Sequence, residues 1–162
     1  MIRLAGINDL ESIVGIYNQA IAAGFQTAFT EPVTVADRLG WFNEHMVAAY
    51  PLFVFESDGV VLGWLSVSPY RSGRAALRYC VEVSYFVHHD HQKKSIGSQL
   101  LAHAIEACTA MQYRTMIAII LDKNNPSVKL MERAGFEQWG YLPGVADFDG
   151  VVCGHVYYGK SL

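Results

Sequence analysis

The stretch from Tyr79 to Ser98 narrows the possible folds more than any other part of the chain. Its first half, Tyr79-Cys80-Val81-Glu82-Val83-Ser84-Tyr85-Phe86-Val87, is dense in β-branched and aromatic residues and reads as a long strand. The strand empties into a polar loop, His88 to Ser95. A helix follows from about Ile96, with Leu100, Leu101, Ala104, Cys108 and Met111 on one face. Such a junction makes an anion site, because the first N–H groups of the helix lack internal partners and its dipole adds about half a positive charge. Lys93 and Lys94 add mobile charge. The alternative at this junction is an ordinary exposed loop with Ser95 as the helix N-cap. The glycine spacing and the lysine position exclude a dinucleotide fingerprint and a Walker loop.

The rest of the chain supplies a mixed sheet. Ile2 to Ala5 reads as a short strand, and Asn8 or Asp9 can cap a helix whose apolar residues Leu10, Ile13, Val14, Tyr17 and Ile21 run to a stop near Gly24. Thr34 caps a second helix, expected to reach about Ala49. Leu52–Glu56 and Val60–Ser66 flank Ser57-Asp58-Gly59, where the Asp-Gly pair marks a hairpin turn. Thr115–Leu121 is a buried strand, Pro126–Ala134 a helix closed by Gly135, and strands near Phe136–Tyr141 and Val151–Tyr158 finish the chain. The order β-α-α-β-β-β-α-β-α-β-β implies an α/β fold, one mixed sheet with helices on both faces.

With 162 residues, 52% of them apolar, and no linker or repeat, residues 1–162 are expected to form one domain. Twelve basic against 15 acidic residues leave a charge of −3, which argues against a nucleic-acid partner. The longest clean apolar run, Met116–Leu121, is too short to span a bilayer, and the N-terminus carries Arg3, Asp9 and Glu11 in place of a signal-peptide core. Cys80, Cys108 and Cys153 are an odd, widely spaced set and read as free thiols in a reducing compartment, so a cytoplasmic location is expected. His88, His89 and His91 crowd one loop without a carboxylate cluster elsewhere at ligand spacing, and no metal is expected.

The segment Gln92-Lys93-Lys94-Ser95-Ile96-Gly97 resembles the Gln/Arg-x-x-Gly-x-Gly/Ala motif of the GNAT acetyltransferases, with Ser95 in place of the first glycine. Ile16-Tyr17-Asn18, Glu31-Pro32-Val33-Thr34, Trp41-Phe42, Val81-Glu82-Val83-Ser84, Asn124 with Ser127, and Glu132-Arg133-Ala134-Gly135-Phe136 follow in the order of that family's phosphinothricin acetyltransferase-like branch. The resemblance implies a single GNAT-like domain, a mixed, mostly antiparallel, twisted sheet whose central strands splay apart, and acetyl-CoA as cosubstrate. It assigns the pyrophosphate to Gln92, Lys93, Lys94, Ser95, Ile96, Gly97 and Ser98, and the pantetheine arm to the backbone of Tyr85, Phe86 and Val87 and to Asn124. Ser95 is expected at negative φ, where it can cap the helix.

Glu82 read by itself is a solvent-facing strand residue or the partner of an arginine; the resemblance makes it the general base. A substrate amine is mostly ammonium at neutral pH, and a partly desolvated carboxylate can take its proton. Arg71, Arg74 and Arg78 precede the strand within eight residues. They read either as a solvated turn or, by the resemblance, as substrate-facing forks for an anionic acceptor. Phe29 is expected to wall the pocket or to join the core. Met131 stands where relatives carry a tyrosine or histidine near the departing sulfur, and it cannot donate a proton. Val152, Cys153 and Gly154 likewise replace family residues beyond Leu142–Gly150. The implied reaction is direct acetyl transfer to the primary amine of a small amino-acid-like acceptor, of phosphinothricin or methionine sulfoximine type, by a homodimer. The competing readings are an N-acetyltransferase for a polyamine, aminoglycoside or protein α-amine, and a non-catalytic acyl-CoA-binding module.

Overall fold

Period-two and period-3.6 hydrophobic patterns lay down seven strands and four α-helices in a computed structural model that describes residues 1–46 and 49–162. The strands are β1 (Ile2–Leu4), β2 (Leu52–Ser57), β3 (Val60–Pro69), β4 (Cys80–Val87), β5 (Thr115–Leu121), β6 (Glu137–Phe148) and β7 (Val151–Ser161). The helices are α1 (Leu10–Ala23), α2 (Val35–His45), α3 (Ile96–Ala110) and α4 (Asn125–Arg133). One sheet carries the strands in the order β1-β2-β3-β4-β5-β7-β6. Among the described residues its only parallel pair is β4–β5.

The two faces of the sheet bury separate cores. On one, α1 and α2 cover Val54 and Trp64 with Leu10, Ile13, Tyr17 and Phe42, and the Trp64 indole N–H donates to the Ile13 carbonyl at 3.1 Å. On the other, α3 and α4 set Leu100, Leu101, Ala104 and Met131 against Leu65, Val67, Val81, Val83 and Met116. Alternation along β4 therefore sends Val81 and Val83 to the α3 face, and Glu82, Ser84 and Phe86 to the α1 face.

The feature that creates a site is a failure of pairing. β4 is in register with β3 from Pro69↔Val81 through Gly63↔Val87, and β5 with β7 from Thr115↔Ser161 through Leu121↔His155. Between β4 and β5 the register holds only at Cys80↔Thr115, Val81↔Met116 and Glu82↔Ile117. Beyond Glu82 the central strands part, as expected, and the edge of β4 facing β5 has no strand partner there.

Local signals explain most boundaries. Thr34 caps α2, its Oγ1 accepting from the Asp37 N–H at 3.2 Å while Asp37 Oδ2 accepts from the Thr34 N–H at 2.8 Å. Asp58 and Gly59, at φ 52° and 77°, make the expected two-residue hairpin turn. Three expectations need correction. The second helix ends at His45; of the stretch expected to reach Ala49, Val47 and Ala48 lie outside the described residues. Asp9 does not cap α1 with its side chain, because its carboxylate accepts from Arg3 at 2.7 and 2.9 Å and from the Gly6 N–H at 2.7 Å. β6 continues through Pro143 to Phe148; it is an edge strand, where a missing N–H is tolerated, and its register shifts between Leu142 and Ala146. Across β6–β7, the Trp139 ring lies over Gly159 so closely that a Cβ there would stand 2.0–2.4 Å from ring atoms.

Candidate active site

The parting of β4 and β5 opens a cleft of about 600 Å³ that runs to the start of α3. The first intrahelical bond of α3 is from Gln99 N–H to the Ser95 carbonyl at 3.0 Å, so the N–H groups of Ile96, Gly97 and Ser98 have no partner within the helix. Lys93 and Ser95 both have left-handed backbones, with φ near 61°. That alternation turns successive N–H groups toward one concavity. Ser95 thus departs from expectation. It adopts the conformation that the family glycine would take freely, and its side chain makes no cap hydrogen bond.

The cleft gathers Tyr85, Phe86, Val87, Gln92, Lys93, Ser95, Ile96, Gly97, Ser98 and Asn124 along its wall, whereas Lys94 is exposed outside it. Gly97 is there for lack of room: a Cβ would meet Leu130 at 3.3 Å and the Tyr85 ring at 3.4 Å. Tyr85 reaches across to α4, where its hydroxyl donates to Ser127 Oγ at 2.8 Å, and Asn124 Oδ1 accepts from the Ser127 N–H at 3.4 Å. A polyanion fits the unpaired N–H groups of α3, and an extended, amide-bearing arm fits the free edge of β4. The residues present therefore suit acetyl-CoA.

A second cavity, of about 340 Å³, lies on the α1–α2 face and meets the cleft at Gln26, Ser84, Phe86 and Ile119. Glu82 lines it at the point where β4 leaves β5. Its carboxylate makes no hydrogen bond or ion pair among the described residues, and burial pushes its pKa above the usual carboxylate value. Opposite it in register on β3 stands Ser68. His45, buried beneath, fixes that hydroxyl. Its Nδ1 lies 2.8 Å from the Trp41 carbonyl, which can only accept, so Nδ1 carries the hydrogen. Burial lowers the His45 pKa and keeps the ring neutral, so Nε2 accepts from Ser68 Oγ at 3.1 Å. The Ser68 lone pairs then remain available to a donor in the cavity.

Several expected residues lie elsewhere. Arg71, Arg74 and Arg78 are exposed on the turn between β3 and β4, and none lines either cavity; Arg74 and Arg78 donate to the carbonyls of Ser72 and Ala75 at 3.4 and 3.0 Å. Phe29 is 47% exposed and meets the Tyr17 ring edge-on at 5.7 Å, next to cavity-lining Thr27 and Ala28. Met131 is fully buried in the core and lines neither cavity. His88, His89 and Asp90 bring ligand atoms within 4.8 Å of one another in the loop after β4; His89 pairs with Asp90 at 3.2 Å, and the Asp90 N–H donates to His88 Nδ1 at 3.3 Å. The sequence reading missed Arg38, His45, Trp64, Ser66, Ser68 and His155. Each lines the second cavity or touches a residue that does. Arg38 and His45 are disguised by helical periodicity, and the serines by their place in an alternating strand.

The Acetyltransferase (GNAT) family model matches residues 16–136. The chain is 41% identical over 150 residues, 92% of its length and 91% of the relative's, to YwnH of Bacillus subtilis, a protein provisionally named a phosphinothricin acetyltransferase. It is 37% identical over 145 residues, 89% of its length and 84% of the relative's, to the L-methionine sulfoximine/L-methionine sulfone acetyltransferase of Pseudomonas paraeruginosa. A crystal structure of a phosphinothricin acetyltransferase from Sinorhizobium meliloti in complex with acetyl-CoA superimposes with a TM-score of 0.94 at 29% identity, covering 100% of this chain and 88% of that one. The chain belongs to the GNAT acetyltransferase family. It is an N-acetyltransferase that uses acetyl-CoA.

Proposed function

We propose that this enzyme acetylates the primary amine of a small amino-acid-like acceptor, of phosphinothricin or methionine sulfoximine type, with Glu82 as the general base. The observation that carries this reading is the placement of Glu82, a half-buried carboxylate without a partner among the described residues, which lines the second cavity two residues before Ser84, where that cavity meets the cleft. Gln92, Lys93, Ser95, Ile96, Gly97 and Ser98, with Lys94 beside them in the chain, hold the phosphates; the backbone of Tyr85, Phe86 and Val87 and the Asn124 side chain hold the arm. Acetyl-CoA supplies the acetyl group as an activated thioester. Glu82 takes the ammonium proton, directly or through water, while Ser68 accepts a second N–H and orients the amine. Free N–H groups on the β4 edge polarise the carbonyl under attack. With Met131 in the core, the thiol can leave as thiolate, since its reference pKa is about 8.5. Phe29, beside cavity-lining Thr27 and Ala28 and against the Tyr17 ring, walls the outer approach to the acceptor cavity.

The domain comprises residues 1–162 and works in the cytoplasm, in keeping with three free cysteines, of which Cys108 and Cys153 are buried. No helix is long and apolar enough to cross a membrane among the described residues. The homodimer has a candidate face on β6 and β7, where Trp139, Tyr141, Leu142, Val145, Val151 and Val152 are exposed. A screen of coenzyme A release over amino acids, their sulfoximine and phosphinate analogues, polyamines and peptides tests the function. Release with the amino-acid analogues is expected. Binding of acetyl-CoA without release across the panel would instead establish a non-catalytic binding module.

A further inference from the structure

The second cavity holds two opposite charges that do not meet. Among the described residues that line it, Glu82 is the one carboxylate and Arg38 the one guanidinium, and no ion pair joins them. Arg38 sits on α2 with its guanidinium carbon 3.9 Å from the centre of the Trp41 ring and 5.1 Å from that of Tyr17. It is half-buried, and it makes no hydrogen bond or ion pair to a described residue. Burial even lowers its pKa from the usual arginine value. Stacking occupies the flat face of a guanidinium and leaves the in-plane N–H groups to bind something else. A fork whose five donors find no protein acceptor, held rigid between aromatic rings inside a cavity, is built for an external oxyanion.

We propose that Arg38 is the specificity-determining residue that grips the acceptor's carboxylate, so that the cavity reads a zwitterion, ammonium at Glu82 and Ser68 and carboxylate at Arg38. This rests on the function proposed above. It moves the anion anchor from the exposed Arg71–Arg78 turn to a stacked, desolvated residue that the periodicity of α2 conceals. The same charge placement disfavours polyamines, whose second cation would face Arg38.

The test is calorimetric titration of the whole protein, with and without coenzyme A, using L-methionine sulfoximine, its α-carboxamide and its decarboxylated amine. The parent is expected to bind the carboxylate probe about tenfold to hundredfold more tightly than the other two, the range for hydrogen bonds to a charged group. Arg38→Gln should erase that preference without changing acetyl-CoA affinity. Arg38→Lys keeps the charge but neither the flat stacking nor the fork, so it should lose part of the preference, and it carries the test should Arg38→Gln fail to fold. A parent without the preference, an Arg38→Gln protein that keeps it, or an Arg38→Lys protein that keeps all of it would overturn the proposal. Coenzyme A release measured on the same samples separates the two readings. The expected binding pattern without release removes the acetylation reading alone, and release with an unchanged preference in the variants removes the Arg38 anchor alone.

Discussion

Ser95 enters α3 at φ 61°, in a region that costs a residue with a Cβ roughly 1 kcal/mol more than glycine. Its hydroxyl recovers none of this through a cap bond. Ser95→Gly should therefore raise stability by about 1 kcal/mol, seen as a melting temperature higher by about 2–4 °C, and leave acetyl-CoA affinity intact or improved. A lower melting temperature would mean that the hydroxyl has a partner of its own. His45 gives a prediction of opposite character. Its folded pKa is held below the ordinary 6.5 by burial, so the unfolded chain takes up the proton first as pH falls. The parent should lose stability relative to His45→Gln as pH drops below about 6.5, the unfolded value, and the difference should stop growing once the folded ring also protonates. Parallel stability profiles from pH 5 to 8 would show that His45 is not the buried, neutral acceptor that fixes Ser68.

The junction of β4, the loop and α3 works as one element. Lys93 lines the cleft and Lys94, next in the chain, is exposed outside it, both just before the unpaired N–H groups of α3. The double change Lys93→Glu with Lys94→Glu should weaken acetyl-CoA binding at least tenfold and flatten its dependence on salt, because the attraction being screened is gone. Equal calorimetric affinities would place the phosphates elsewhere. Elements of this kind are legible in the sequence, since β4, α3 and β5 keep an unbroken apolar period from end to end. β6 is not, because Pro143 and Gly144 signal a loop and only the tolerance of an edge strand lets pairing continue past them. The cofactor side of the site is legible for the same reason as α3: most of its contacts come from consecutive residues of one junction. The acceptor side is not. Arg38 and His45 lie on one helix, Ser68 on β3 and Glu82 on β4, and only the folded sheet brings Arg38, Ser68 and Glu82 to one cavity with His45 beneath Ser68. The arginines conspicuous in sequence, Arg71, Arg74 and Arg78, are conspicuous because they share an exposed turn.

At the scale of the molecule, the sheet divides the work. Parting of β4 from β5 opens the cleft, and the opposite face of β4 presents Glu82 to the second cavity; the proposed function gives the first to acetyl-CoA and the second to the acceptor. Binding and proton removal should then be separable by mutation. Glu82→Gln keeps the size of the side chain and removes its basicity. Because burial raises the Glu82 pKa, the ionised carboxylate is destabilising at neutral pH. The variant should be at least as stable as the parent there, an advantage that fades as pH falls through the folded pKa toward the unfolded value near 4.3. The decisive measurement is the pH profile of kcat for Glu82→Gln beside calorimetric acetyl-CoA affinity on the same protein. The account predicts kcat lower by about 10²–10⁴ at pH 7, partial recovery as pH rises and more of the amine arrives neutral, and an unchanged acetyl-CoA Kd. Parental kcat at pH 7 would contradict it and leave proton removal to water or another group.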